Sequence, residues 1–272
     1  MFRTHLGRPL DIGHTSNKLI IALTAAMAVG GVGVWLAADV ASAWLAPVHT
    51  FLIWALVREL DPDRHWTALA AGLIAGVWVL VGLEVAGALA IVGLLLAARV
   101  VLNPVGLSLL TTDVLAMVAV ATAISFTPVG WVAGSGIAVA LYIDTRLSDF
   151  PRRVGYYGAV AAALGAAAIA TITDALPETI PSINPVIVVV TGLLALIIVV
   201  RDPLPVLSNV DHNDQKRMSS ERLHGSRVLA VVLVFASTLL AGPAAGGLVP
   251  TIIAFVLVLA SEELKRVRRP TL

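Results

Sequence analysis

Two ionisable side chains fall inside long apolar runs, where a charge is costly and normally faces a partner or a water-filled cavity. His49 lies in the stretch 40–57, about 13 Å from its outer end, and Asp113 lies about 12 Å into the stretch 105–126, at 1.5 Å per residue. A histidine and a carboxylate at one depth in a core about 30 Å thick could share a proton near neutral pH, since a neighbouring carboxylate moves an imidazole across that range. Each also has a structural reading. Thr111-Thr112-Asp113 has the form of a helix N-cap, which would start a helix near Val114 and leave 103–112 as a loop broken by Pro104 and Gly106. His49 follows Pro47, whose missing N–H frees a carbonyl one turn back, so a neutral imidazole bonded to a neighbouring helix is the alternative.

The stretch Arg58-Glu59-Leu60-Asp61-Pro62-Asp63-Arg64-His65-Trp66 gathers three carboxylates and a histidine. Such a cluster could hold Mg2+ and a diphosphate, as an intramembrane enzyme acting on a lipid would require. The Asp61-x-Asp63 spacing around a proline does not put both carboxylates on one helix face. The preferred expectation is that Asp63 caps the next helix while charges of both signs pair at the surface. Gly134-Ser135-Gly136 is a weak match to a serine nucleophile, with only His49 as an intramembrane base. No phosphate-binding loop, metal-ligand spacing or haem motif occurs, so no catalytic residue, metal ligand or cofactor is assigned and an enzyme is disfavoured.

The one long polar segment is 201–227. Asp202-Pro203 and Leu204-Pro205 block helix, and Asp211-His212-Asn213-Asp214 reads as a turn. From Gln215 onward, Met218, Arg222 and Leu223 are spaced for a short interfacial helix. Lys216, Arg217, Arg222 and Arg227 are the candidates for docking anionic headgroups or a protein partner, with a solvated linker as the alternative.

The elements that must position these residues are apolar throughout. Of 272 residues 58% are hydrophobic and 13% charged, and mean hydropathy is +0.94, which excludes an ordinary soluble enzyme, a disordered tail and a secreted disulfide scaffold. A net charge of +1 makes no case for nucleic acid, and the absence of cysteine excludes disulfides and thiolate metal sites. Ten apolar segments recur, at 19–38, 40–57, 66–83, 85–102, 105–126, 128–143, 155–173, 184–200, 228–242 and 247–260. Under this division all 18 Lys and Arg fall in the N-terminal tail, the even-numbered loops and the C-terminal tail. Basic residues resist translocation, so that segregation puts both termini in the cytoplasm. Asp39, Glu84, Asp174 and Glu178 mark the opposite face. Ala41-Ser42-Ala43 resembles a signal-cleavage site, but the preceding apolar stretch is too long for a signal h-region, and an uncleaved first helix is expected. Glycines at 30, 31, 33, 72, 76, 130, 134 and 136 supply small surfaces for helix packing, and the Ala-rich segment 155–173 is expected at the centre of the bundle.

These observations predict an all-α, polytopic bundle of ten transmembrane helices in the cell membrane, forming a single domain over 1–272. The first 18 residues and residues 261–272 are read as cytoplasmic tails. The expected function is a small permease or proton-coupled transporter working through His49 and Asp113. The alternative is a non-catalytic assembly or accessory subunit that docks a protein partner at its cytoplasmic face, with the lipid bilayer as the remaining partner.

Overall fold

Helix ends in this chain are set by short chemical stop signals. The computed structural model describes residues 4–7, 11–83, 87–127, 130–147, 153–173, 184–210, 213–240 and 247–267. Among them are ten α-helices: α1 (Thr15–Ala38), α2 (Ala46–Leu60), α3 (His65–Leu80), α4 (Ala88–Leu102), α5 (Thr111–Ile124), α6 (Gly130–Leu147), α7 (Arg153–Ile172), α8 (Pro185–Val200), α9 (Ser220–Leu240) and α10 (Val249–Val267). Asp39 and Asn103 end α1 and α4 in the left-handed region, at φ 52° and 49°. Their N–H groups close onto Trp35 O and Arg99 O. Asp61 precedes Pro62, which disfavours helical backbone, so α2 stops at Leu60. Asn184 caps α8, its Oδ1 accepting from Val186 N at 3.1 Å, with Pro185 at the helix start.

Five boundaries and placements differ from expectation. Residues 43–45 form a 3-10 turn, so α2 begins at Ala46, with Pro47 in its first turn, where a missing N–H is harmless. His49 therefore stands about 5 Å from the start of its helix. Residues 103–110 are not helical and α5 begins at Thr111, which departs from the span 105–126 and agrees with the cap reading of Thr111–Asp113. The anticipated interfacial helix is instead an antiparallel hairpin, β1 (Asn209–Val210) with β2 (Asn213–Arg217), and Arg222 and Leu223 belong to the first turn of α9. The fourth difference lies at the C-terminus, where α10 continues through Val267, well past the expected start of the tail at 261. The Ala-rich α7 is peripheral: Gly158, Ala159, Ala162, Ala166 and Ala170 bury one face, while Tyr157, Val160, Leu164 and Ile172 are exposed. Small residues let it approach closely on one side, and nothing requires contact on the others. Glu84, Asp174 and Glu178 lie outside the described residues.

The chain divides into two compact units. A four-helix unit, Leu10–Val85 with Gly246–Leu272, packs α2 along α3, α1 against both, and α10 against α3 and α2. A six-helix unit, Met1–Pro9 with Ala86–Ala245, has α6 in contact with α4, α5, α7 and α9, while α8 lies along α9. The hairpin is anchored in this unit by an apolar cluster of Leu102, Val206, Val210, Met218 and Leu223. Gly106 has φ 78° and brings its backbone against Val210, where a Cβ would lie 3.0 Å from the valine side chain. The polar segment 201–219 is thus a folded cap on α4 and α9.

Among the described residues three helices are long and apolar enough to cross a bilayer: α1, α7 and α9, of 24, 20 and 21 residues. At 1.5 Å per residue they extend about 36, 30 and 32 Å, against a hydrocarbon core of about 30 Å. Their exposed faces carry residues such as Val29, Leu36, Leu164 and Ile172, and those of the apolar α8 carry Val186, Leu196 and Val200. Such continuous apolar surface suits acyl chains.

Helix contact in such surroundings rests on shape. Where α3 crosses α2, a Cβ at Gly72 would come 2.8 Å from Thr50 O, and one at Gly76 would overlap Thr50 Oγ1 and Met27 Sδ. Gly136 on α6 likewise receives Leu233 of α9, whereas Gly33 on α1 has open space around it. Gly76→Val should therefore cost about 2–3 kcal/mol through overpacking. Gly33→Ala should be neutral or stabilise by about 0.5–1 kcal/mol. Thermal unfolding of the two variants in detergent checks the contrast, and equal melting temperatures would contradict it.

Candidate functional site

The densest buried chemistry lies at one end of the four-helix unit, where α1 begins, α2 gives way to α3 and α10 ends. Asp61, displaced from the helix by Pro62, points its carboxylate inward, and its side chain is fully buried. Ser261 Oγ donates to Asp61 Oδ2, and Lys265 Nζ lies 3.3 Å from Asp61 Oδ1 and 3.1 Å from Asp63 Oδ2. Ser261 and Lys265 are four residues apart on α10 and so share a face. One ammonium, 18% exposed, thus serves two carboxylates. Removing such charges from water costs several kcal/mol per ion, and only this mutual pairing with its extra hydrogen bond offsets it.

The same end ties α1 to α2. Arg58 Nη1 donates to Asn17 Oδ1 at 2.7 Å while its guanidinium lies 5.1 Å from the Trp54 ring centroid. Asn17 Nδ2 donates in turn to Asp11 O. His14 meets His65 edge-on at 5.0 Å. His65, the first residue of α3 and ahead of the apolar run 66–83, is held below the ordinary histidine range first by partial burial, then by His14 and Arg58, against an upward pull from Asp61. Glu59 and Glu262 are also buried here.

Asp63 does not cap α3. Its carboxylate holds Lys265, and Arg64 occupies the cap position with no side-chain hydrogen bond. The charges pair, as expected, but across to α10 and out of solvent. Sequence reading missed Ser261 and Lys265 because it assigned them to a basic tail. The signal available was their four-residue spacing at the end of an apolar run.

Asp113 stands in the first turn of α5, where its carboxylate accepts three donors. Thr4 Oγ1 lies 2.7 Å from Oδ1, and the backbone N–H groups of His5 and Leu110 lie 3.0 and 3.1 Å from Oδ2. A carboxylate at a helix N-terminus is also favoured by the helix dipole. His5 Nδ1 lies 2.7 Å from Ser108 O, so Asp113 fastens the N-terminal segment to the six-helix unit. His49 belongs to the four-helix unit, is buried, and has Nδ1 3.1 Å from Leu45 O. Each of the two therefore has local partners in its own unit.

The four docking candidates separate. Lys216 and Arg217 are exposed on β2. Arg222 is turned inward, its Nη1 2.9 Å from both Asp144 Oδ1 and Val101 O, and joins α9 to α6 and α4. Arg227 is buried within α9. Among the described residues no three His, Cys, Asp or Glu side chains converge as a metal site.

Hydroxyl groups distinguish the two units. In the six-helix unit Thr122, Ser125, Thr171, Thr191, Ser226 and Thr238 each donate to a carbonyl three or four residues back. In the four-helix unit the hydroxyls of Thr24, Thr50 and Thr251 are buried and have no hydrogen-bond partner among the described residues. Leaving such a group unpaired costs about 1–3 kcal/mol. Comparison with protein-family models, with characterised proteins and with solved structures gives no match.

If Lys265 compensates Asp61 as this geometry requires, Lys265→Met should destabilise the protein by about 3–5 kcal/mol, because it strands a buried carboxylate. Adding Asp61→Asn to that variant should recover much of the loss, giving a strongly non-additive cycle. Chemical unfolding of the two single variants and the double variant measures this, and additive effects would show that the pair is not coupled.

Proposed function

We propose that the chain is a ten-span protein of the cell membrane, with both termini cytoplasmic, and that it works as a small permease. The observation that carries the reading is the buried Asp61, held by Ser261 and Lys265 in a bundle whose surroundings are apolar. Well-packed apolar side chains would fasten a purely structural bundle at least as well. Ionisable residues kept at that cost in membrane proteins typically serve ion or substrate pathways. When Lys265 moves away, the buried Asp61 needs a proton or a solute cation in its place, which couples a conformational change to charge uptake. His49 and Asp113 remain candidate members of the pathway. The topology rests on the segregation of all 18 basic residues.

The docking alternative draws on one specific feature, the exposure of Lys216 and Arg217 on a folded hairpin. In the permease reading, supported-membrane recordings with jumps of amines, amino acids, sugars and organic anions should give a pH-dependent current for at least one class. Asp61→Asn should reduce that current at least about tenfold with the fold intact, as expected for a buried charge in the pathway. No current for any class, together with a co-purifying protein lost from Lys216→Glu/Arg217→Glu, would instead establish the docking role.

Because the chain lacks cysteine, single cysteines report its threading directly. Position 216 should label with an impermeant thiol reagent from the cytoplasmic side and position 39 from the opposite side. Labelling of both from one side would overturn the ten-span arrangement.

A further inference from the structure

The α6–α7 connection gathers cations and aromatic rings that none of the contacts described so far uses. Gly155 of α7 meets Thr145 of α6, where a Cβ would lie 2.7 Å from Thr145 Cγ2. The last turn of α6 and the first turn of α7 are therefore side by side. From α6 come Tyr142 and Arg146, and from α7 come Arg153, Tyr156 and Tyr157, all five exposed. Arg146 is held in place by Tyr142: Nε and Nη2 donate to the phenolic oxygen at 3.1 and 2.9 Å, and the guanidinium lies 5.3 Å from the ring centroid. Tyr156 and Tyr157 meet edge to face at 6.0 Å. The nearest helical acid, Asp144, is consumed by Arg222. In sequence the turn carries Arg146, Arg152 and Arg153 against Asp149, so it is net positive.

We propose that this end of the α6–α7 pair binds the phosphate of an anionic phospholipid through Arg146 and Arg153, with Tyr142, Tyr156 and Tyr157 at the glycerol level. Three observations select a lipid over a soluble anion. The side chains lie at the terminus of α7, a helix long and apolar enough to span the bilayer, which puts them at headgroup depth. Tyrosine rings are amphipathic and favour that depth, and Tyr142 pre-orders the Arg146 guanidinium, lowering the entropy lost on binding. Immediately beyond them α7 presents the apolar Val160 and Leu164 to the surroundings, a surface that acyl chains cover and free phosphate does not. The proposal requires a membrane but not transport, so it stands or falls separately from the permease reading.

The test is native mass spectrometry of protein released from nanodiscs containing equal phosphatidylglycerol and phosphatidylcholine. Each basic residue near an anionic surface is worth a factor of about five in lipid affinity. Wild type should retain phosphatidylglycerol over phosphatidylcholine by at least that factor, and Arg146→Gln/Arg153→Gln should return the ratio to that of the bulk mixture. Tyr142→Phe, which keeps the ring but removes the hydroxyl that Arg146 grips, should lower it partway. Thermal unfolding confirms that the variants are folded. A wild-type ratio of one, an unchanged ratio in the double variant, or full displacement of the lipid by inorganic phosphate would each overturn the proposal.

Discussion

A chain that is mostly apolar, and whose exposed surface is largely apolar too, cannot rely on water to satisfy the polar groups it buries. The Asp61–Lys265–Asp63 arrangement answers that constraint. Pro62 ends α2 at Leu60, the Asp61 carboxylate turns inward, and Lys265 of α10 meets it. The four-helix unit thereby closes on itself, with the C-terminal helix fastened to the turn between α2 and α3. Arg222 does the equivalent work in the six-helix unit, joining α9 to Asp144 of α6 and to the carbonyl that ends α4. The ion pairs are placed at helix termini, where the connecting chain must bend anyway and where backbone dipoles are incompletely paired.

Within the helices the same constraint is met in two ways. Hydroxyls fold back onto their own helix, as Ser125 does onto Ala121 and Thr191 onto Ile187, or helices approach until no room for a side chain remains. Gly72 and Gly76 against Thr50, and Gly136 against Leu233, are of the second kind. Contact there comes from matched shape, since in each case the neighbouring atoms leave no room for a side chain. That is why a uniformly small helix such as α7 is not forced to the centre. Its glycines and alanines seat it on α5 and α6 through one face, and its valine, leucine and tyrosine side chains fill the other.

The connecting segments are structural parts as well. Asp113 collects the N-terminal residues Thr4 and His5 onto the start of α5. The hairpin after α8 rests on Leu102 and Leu223 through Val206, Val210 and Met218. Both are places where polar composition suggests solvated chain but a few well-spaced groups, a carboxylate in a first helical turn or apolar residues on either side of a turn, give the segment something to fold against. In the proposed topology these features lie with the basic residues on the cytoplasmic face, where the proposed headgroup contacts of Arg146 and Arg153 also lie.

From sequence alone one can read the helical class, the number of helices and the rough position of each, because apolar runs and their breakers are local properties. Pro62, Asn103 and Pro185 mark boundaries that the backbone itself enforces. The distribution of lysine and arginine is equally local and carries the threading argument. What the tertiary structure alone decided is which polar groups meet. Asp61 and Lys265 are 204 residues apart, Asp113 and Thr4 are 109 apart, and no periodicity encodes those pairings. His49 illustrates the same limit: its depth depends on where α2 begins, and a 3-10 turn at 43–45 moved that start by several residues. A buried charge is compensated by whichever element the fold carries to it, and that is a property of packing in three dimensions.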